Sequence, residues 1–190
     1  MCVIEFDDLI DINHDRTPLL YKLREINPLF KATVYAIPGL CSVEFIKSLP
    51  DWLEVAVHGW NHTSRECEFW TESDMDLLLT QPGLKHFVKG FKAPHYVISD
   101  GCYKSLLKHD FWISDIPENN HRRPVGLRYY INGFWTRADN NWWYGHIANT
   151  AYKDNKGIVR HDGIRETFDK LVERIKFETQ FKFVSESLTT

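Results

Sequence analysis

Val3-Ile4-Glu5-Phe6-Asp7-Asp8 is a short run of β-branched and aromatic residues that ends in two carboxylates. It reads as a buried strand that delivers charge at its C-terminal end. The same pattern recurs along the chain. Leu53-Glu54-Val55-Ala56-Val57 ends in His58-Gly59-Trp60-Asn61-His62, and Gly90-Phe91 runs into Lys92-Ala93-Pro94-His95-Tyr96. Phe111-Trp112-Ile113 ends in Ser114-Asp115, and Trp142-Trp143-Tyr144-Gly145 ends in His146. Strands are expected at Cys2–Phe6, Ala32–Ile37, Leu53–Val57, Gly90–Ala93, Phe111–Ile113, Leu127–Ile131, Trp142–Gly145 and Phe181–Val184.

Amphipathic helices are expected between these strands, at Thr17–Ile26, Ser42–Leu49, Ser73–Thr80, Asp100–Lys108 and Ile164–Glu178. In the last of them Ile164, Phe168, Leu171, Val172 and Ile175 share one face at a period of about 3.6. Asp100 is the expected N-cap of the helix carrying Tyr103, Leu106 and Leu107. Pro117–Asn141 reads as a long excursion containing one short strand. Strand–helix alternation predicts an α/β fold, a parallel sheet with helices outside, either open or closed into a barrel. In such sheets the C-terminal strand ends face a common mouth where ligands bind.

Each polar group at those ends has an ordinary explanation by itself. Asp7-Asp8 suits a capped turn, Lys92 a solvated charge, Asp115 a turn, and His146 a hydrogen-bonded structural histidine. His58 and His62, four apart, suit one face of a helical turn sharing a metal, or unrelated positions. Their arrival at one end of one sheet singles them out. Trp60, Trp135, Trp142 and Trp143 offer flat faces for a ligand ring or for the core. Trp60 is preferred for the pocket because it lies between two histidines, and His95 either lines the site or packs beside Pro94. His14, His86, His109, His121 and His161 carry no such signal.

Composition narrows the classes. The 190 residues suit one domain, 1–190, and 43% hydrophobic content supports a sizeable core. With 23 basic and 26 acidic residues interspersed, and a net charge of −3, no basic stripe argues for nucleic acid. Cys2, Cys41, Cys67 and Cys102 form no C-x-x-C pair, as expected of free thiols in a reducing compartment. No stretch approaches the ~20 apolar residues of a membrane span, and the first residues do not read as a signal peptide. The expectation is a cytoplasmic protein with neither a membrane nor a nucleic-acid partner; the oligomeric state is left open.

Phe6-Asp7-Asp8, His58-Gly59-Trp60-Asn61-His62, Phe91-Lys92-Ala93-Pro94-His95-Tyr96, Asp115, and His146 within Tyr144-Gly145-His146-Ile147 stand in the order of five motifs of the polysaccharide deacetylases. The chain resembles that family, the nodulation-factor deacetylase homology group of carbohydrate esterases, over nearly its whole length. The closing Phe181-Lys182-Phe183-Val184-Ser185 is similar to the family's last strand. The resemblance implies a distorted, compact parallel (β/α) barrel of about seven strands. It implies one divalent metal, zinc first and Co2+, Ni2+, Mn2+ or Fe2+ as alternatives, held by Asp8, His58 and His62. Asp7 would be the general base and Lys92 would replace the arginine that pairs with it. The Tyr96 backbone N–H would help to form an oxyanion site, and His146 would be the general acid, tuned by Asp115. The implied reaction removes acetyl, N- or O-linked, from a sugar or oligosaccharide.

Three positions depart from the family pattern: Leu9 for glycine, Gly59 for serine or threonine, and Lys92, which lacks arginine's bidentate fork. Two other readings stand beside this one. One is an amidohydrolase of the same fold acting on a small nitrogen-containing metabolite. The other is a metal- or carbohydrate-binding protein without turnover.

Overall fold

Alternation along the strands sorts the interior into two compartments. The structure is a computed structural model that describes residues 2–11, 17–131, 142–146, 159–161, 164–166 and 168–190. The strands are β1 (Cys2–Leu9), β2 (Ala32–Ala36), β3 (Leu53–Val57), β4 (Gly90–Lys92), β5 (Trp112–Asp115), β6 (Tyr129–Ile131), β7 (Trp142–His146), β8 (Val159–His161), β9 (Ile164–Glu166) and β10 (Phe181–Lys182). Eight of them form one sheet in the order β10-β1-β2-β3-β4-β5-β6, with β7 also paired to β1, and every pairing in it is parallel. Val3 of β1 is in register with both Lys182 of β10 and Trp142 of β7. These two strands therefore share one flank of β1, and the sheet is seven positions wide, as the family resemblance implies.

On β1, Cys2, Ile4 and Phe6 join an apolar cluster with Leu20, Leu23, Leu171 and Ile175. These last belong to the helices α1 (Pro18–Ile26) and α5 (Phe168–Lys176). Val3, on the opposite face, packs with Tyr35, Ala56, Trp112 and Val184. β1 and β5 stand four strands apart, which in a flat sheet is about 19 Å. Yet Ser114 Oγ reaches Glu5 Oε2 at 3.4 Å, and the Tyr35 and Trp112 rings lie 6.4 Å apart. The sheet is therefore curled, with Val3, Glu5 and Asp7 facing its lumen. Gly90 makes room there, because a β-carbon on it would lie 2.1 Å from the Trp112 indole.

The C-terminal segment closes the N-terminal end of the barrel. Val184 N–H donates to Thr33 Oγ at 2.9 Å, and buried Glu54 accepts from Thr33 Oγ at 2.8 Å and from the Ser185 hydroxyl. Tyr129 and Thr189 then exchange backbone bonds of 2.8 and 2.7 Å, which covers an edge that β6 would otherwise expose. No helix among the described residues is long and apolar enough to cross a membrane.

Two local expectations are corrected. The last helix begins at Phe168, and Ile164 lies in β9, paired antiparallel with β8. Ile164 fits the helical period, but it pairs with His161 of β8, and a period-based reading passes over the Asp-Gly dipeptide at 162–163, a hairpin signal in the sequence. The N-cap of α4 (Asp100–Lys108) is Ser99, whose hydroxyl accepts from Cys102 N–H at 3.1 Å. Ser99 has the extended backbone a cap needs, whereas Asp100 is already helical and pairs with Arg122 at 2.9 Å. The expectations at His14 and Trp135, and the excursion beyond Ile131, lie outside the described residues.

α3 (Glu72–Leu79) and α4 pack together, and Asp76 joins them by accepting from Ser105 (2.6 Å), Lys108 (2.5 Å) and His109 (2.9 Å). Hydrogen bonds from Lys108, then Ser105, hold its carboxyl down at about 2, against an ordinary 3.8. A depressed carboxylate stabilises the fold above its unfolded pKa and loses that contribution as pH falls through the folded one. Asp76→Asn should therefore lower the midpoint of thermal unfolding at pH 7. The gap from wild type should close between about pH 4 and pH 2 in a pH series of melts.

Candidate active site

The site begins with an irregularity in β1. Its register against β2 shifts between Phe6 and Leu9, and Asp8 takes a left-handed backbone with φ 64°. Aspartate tolerates this conformation better than most residues, and such bulges re-aim side chains. Asp7 is buried in the lumen and Asp8 stands at the mouth, half-buried. Asp8 Oδ1 lies 3.5 Å from His58 Nε2 and 3.2 Å from His62 Nε2. One donor atom from each of Asp8, His58 and His62 falls within 4.8 Å of the others.

This set fits a divalent metal on two further counts. His58 Nδ1 lies 2.9 Å from the Lys92 carbonyl, which fixes the donating nitrogen and turns Nε2 toward Asp8, the arrangement of metal-binding histidines. Burial lowers the His58 pKa, outweighing the opposite pull of Asp7 and Asp8, which favours the neutral form that a metal ligand requires. The two histidines do not ride one helical turn. Gly59 (φ 62°) and His62 (φ 57°) are both left-handed in a loop that brings the rings edge to face, 4.9 Å between centroids.

Beneath the mouth lies a fully buried lysine. Lys92 Nζ donates to Asp7 Oδ1 at 2.9 Å and stands 3.6 Å from Glu5 Oε2. The rings of Tyr144, Tyr35 and Tyr96 surround it at 4.0, 4.7 and 5.2 Å, within cation–π range. Burial by itself would drive the ammonium to lose its proton; Asp7 and Glu5 override this and raise its pKa above the ordinary lysine value. Asp7 Oδ2 accepts from the Tyr144 hydroxyl at 2.9 Å, so both oxygens of the carboxylate are held.

The remaining candidates are distributed as follows. His95 is exposed, with its ring 5.5 Å from that of His62. His95 and Tyr96 are both left-handed, at φ 56° and 57°, a conformation that costs about 1–3 kcal/mol per residue. The Tyr96 N–H donates to the Ala93 carbonyl at 3.0 Å. Buried Asp115 accepts from Tyr103 (2.7 Å), Asn119 (2.8 Å), Ile116 N–H (2.9 Å) and Arg123 (3.0 Å). Residue 146 is in register with Asp7 on the neighbouring strand; its side chain, like those of Trp142 and Trp143, lies outside the described residues. Trp60 is half-buried and lines a cleft of about 580 Å³ with Trp70, Asn61, Asp74, Leu77 and Gln81. Asp8, His58 and His62 are not among the residues that line it.

Glu5, Tyr144, Glu66 and Arg123 escape the sequence reading. Glu5 leaves a trace, since Val3, Glu5 and Asp7 alternate on one strand face. Tyr144 sits two residues before His146 by the same rule. Glu66 opens a one-turn 3-10 helix (Glu66–Glu68) and Arg123 caps another (Pro117–Arg122), places where charged residues are ordinary.

No family model matches the chain, and no curated protein matches its sequence. Solved structures do match. The Xyl-CE4 domain of a multidomain xylanase from the hindgut metagenome of Trinervitermes trinervoides superposes with a TM-score of 0.59 at 15% identity, covering 97% of this chain and 87% of that one. A family 4 acetyl xylan esterase from Clostridium thermocellum, in complex with a cobalt ion, gives 0.59 at 14% identity, covering 97% and 88%. A mutant of a family 4 pseudoenzyme with restored activity gives 0.59 at 13% identity, covering 96% and 64%. At these identities the likeness is one of architecture: the chain has the parallel barrel fold of the family 4 carbohydrate esterases, the polysaccharide deacetylase fold.

Proposed function

We propose that the chain is a metal-dependent hydrolase that removes acetyl from a carbohydrate. One observation carries the reading: an Asp8–His58–His62 donor set directly above a buried Asp7–Lys92 pair, at the C-terminal mouth of this fold. A divalent ion, zinc or a cation such as Co2+, would lower the pKa of a bound water and polarise the acyl carbonyl.

The protein groups divide the remaining work. Asp7 is the base. Lys92 keeps its carboxylate ionised and, with Tyr144, fixes its orientation toward His58 Nε2, 3.8 Å from Asp7 Oδ2. Lysine replaces a bidentate fork with one bond to Asp7 and a second anion, Glu5, behind it. His146 gives a proton to the departing amine or alcohol, with Asp115 tuning it. Tyr96 N–H serves the oxyanion by sharing its bond to the Ala93 carbonyl. His95 and Trp60 flank the substrate.

A panel of N- and O-acetylated sugars tests the reading, with acetate release measured with Zn2+ or Co2+ and after chelation. Metal-dependent release from at least one member is expected; metal binding without release from any member would favour a non-catalytic binding protein. Asp7→Asn should cut release by about 10²–10⁴-fold while Co2+ still binds. The variant should fold, because Glu5 remains as counter-ion to Lys92. A wild-type rate in Asp7→Asn would remove the base assignment. His58→Ala and His62→Ala should each lose metal by elemental analysis, and full metal content in either would refute the ligand set.

A further inference from the structure

His58 and His62 are oriented by different means. The His58 ring is tied by its own Nδ1 to a backbone carbonyl. Among the described residues no such bond reaches Nδ1 of His62; its ring meets Asp8 and the His58 and His95 rings, and the backbone that carries it sets where it can reach them. That backbone wraps one carboxylate. Glu66 Oε1 accepts from the N–H of Trp60 (2.7 Å) and of His62 (3.3 Å). Glu66 Oε2 accepts from the N–H of Asn61 and of Thr63, both at 3.3 Å, and from Thr63 Oγ at 3.2 Å. Four successive amides converging on one anion form a nest.

Gly59 belongs to the same device. A β-carbon there would lie 1.9 Å from Glu66 Oε1 and 2.7 Å from Pro94, at a φ of +62°. The carboxylate occupies the space that serine or threonine would need at this position, so its bonds to the loop require glycine at position 59. The bond to the His62 amide also offsets the cost of that residue's left-handed backbone.

We infer that Glu66 is the positioning residue of the Asp8–His58–His62 site, holding the 60–63 loop so that His62 Nε2 meets Asp8. The inference rests on the metal reading above. Groups that orient ligands in this way are worth about 10–100-fold in metal affinity.

Metal-free wild-type protein, Glu66→Gln, Glu66→Ala and Glu68→Gln are titrated with Co2+, with calorimetry and the visible ligand-field spectrum as readouts. Far-UV circular dichroism and thermal melts of the metal-free proteins report the fold. Glu66→Ala should bind about 10–100-fold more weakly, with a changed spectrum. Glu66→Gln, which keeps one carbonyl oxygen, should fall between it and wild type. Glu68→Gln removes a neighbouring charge that makes no bond to the loop amides, and should bind like wild type. Wild-type affinity and spectrum in both Glu66 variants would overturn the inference. Equal weakening in Glu68→Gln would reduce it to simple charge loss and also overturn it. If Glu66→Ala does not fold, Glu66→Gln decides. Wild-type protein that binds no Co2+ would fail the metal reading itself, before any variant is compared.

Discussion

A lysine ammonium with no exposure to water has to be surrounded by compensating charge, and that requirement organises this barrel. Lys92 is met by Asp7 at 2.9 Å, Glu5 at 3.6 Å and three tyrosine rings. Removing Lys92 from this set would leave two buried carboxylates, Asp7 and Glu5, without their counter-ion, and stranding a buried charge typically costs about 3–5 kcal/mol. The residue also links the two halves of the site. Its side chain holds Asp7, while its own carbonyl orients His58. Asp7 and His58 are therefore positioned by a single residue on β4.

The barrel makes this arrangement possible by separating two tasks. The outward strand faces bury apolar residues under helices, in two clusters that supply most of the core. The inward faces are layered. Glu54 and Thr33 meet the C-terminal tail at the closed end, Glu5, Lys92 and Asp7 are buried in the lumen, and Asp8 stands at the mouth. Charge in the lumen is tolerated because each group finds a partner from another strand across the curled sheet, not from its sequence neighbours. The mouth is where the backbone becomes irregular: Asp8, His62, His95 and Tyr96 all have positive φ. Strain of that kind is held only where surrounding structure over-determines it, and the Glu66 nest is one such restraint.

Much of this was legible in the chain. Each of the eight expected strands corresponds to a strand of the sheet, because short β-rich runs between amphipathic segments admit few other readings. The convergence of Asp8, His58 and His62 follows from parallel strands presenting their C-terminal ends together. What stayed hidden were groups whose role is defined by a distant partner. Tyr144 meets Asp7 across 137 positions of sequence, and nothing local distinguishes a tyrosine that packs from one that holds a buried carboxylate. Ile164 was misplaced for the opposite reason, since the local period was strong and a nearby hairpin prevailed over it.

The sequence by itself determined the alternation of strands and helices, the face on which each strand residue lies, and the end of the sheet where polar groups gather. These are properties of neighbouring residues and of periods of 2 and about 3.6. Only the tertiary structure decided that Glu5 shares Lys92 with Asp7, that Gly59 yields its space to Glu66, and that the C-terminal tail seals the far end of the barrel. Those outcomes depend on the curl of the sheet and on positive-φ turns, which bring together atoms far apart in the chain and which no local pattern encodes.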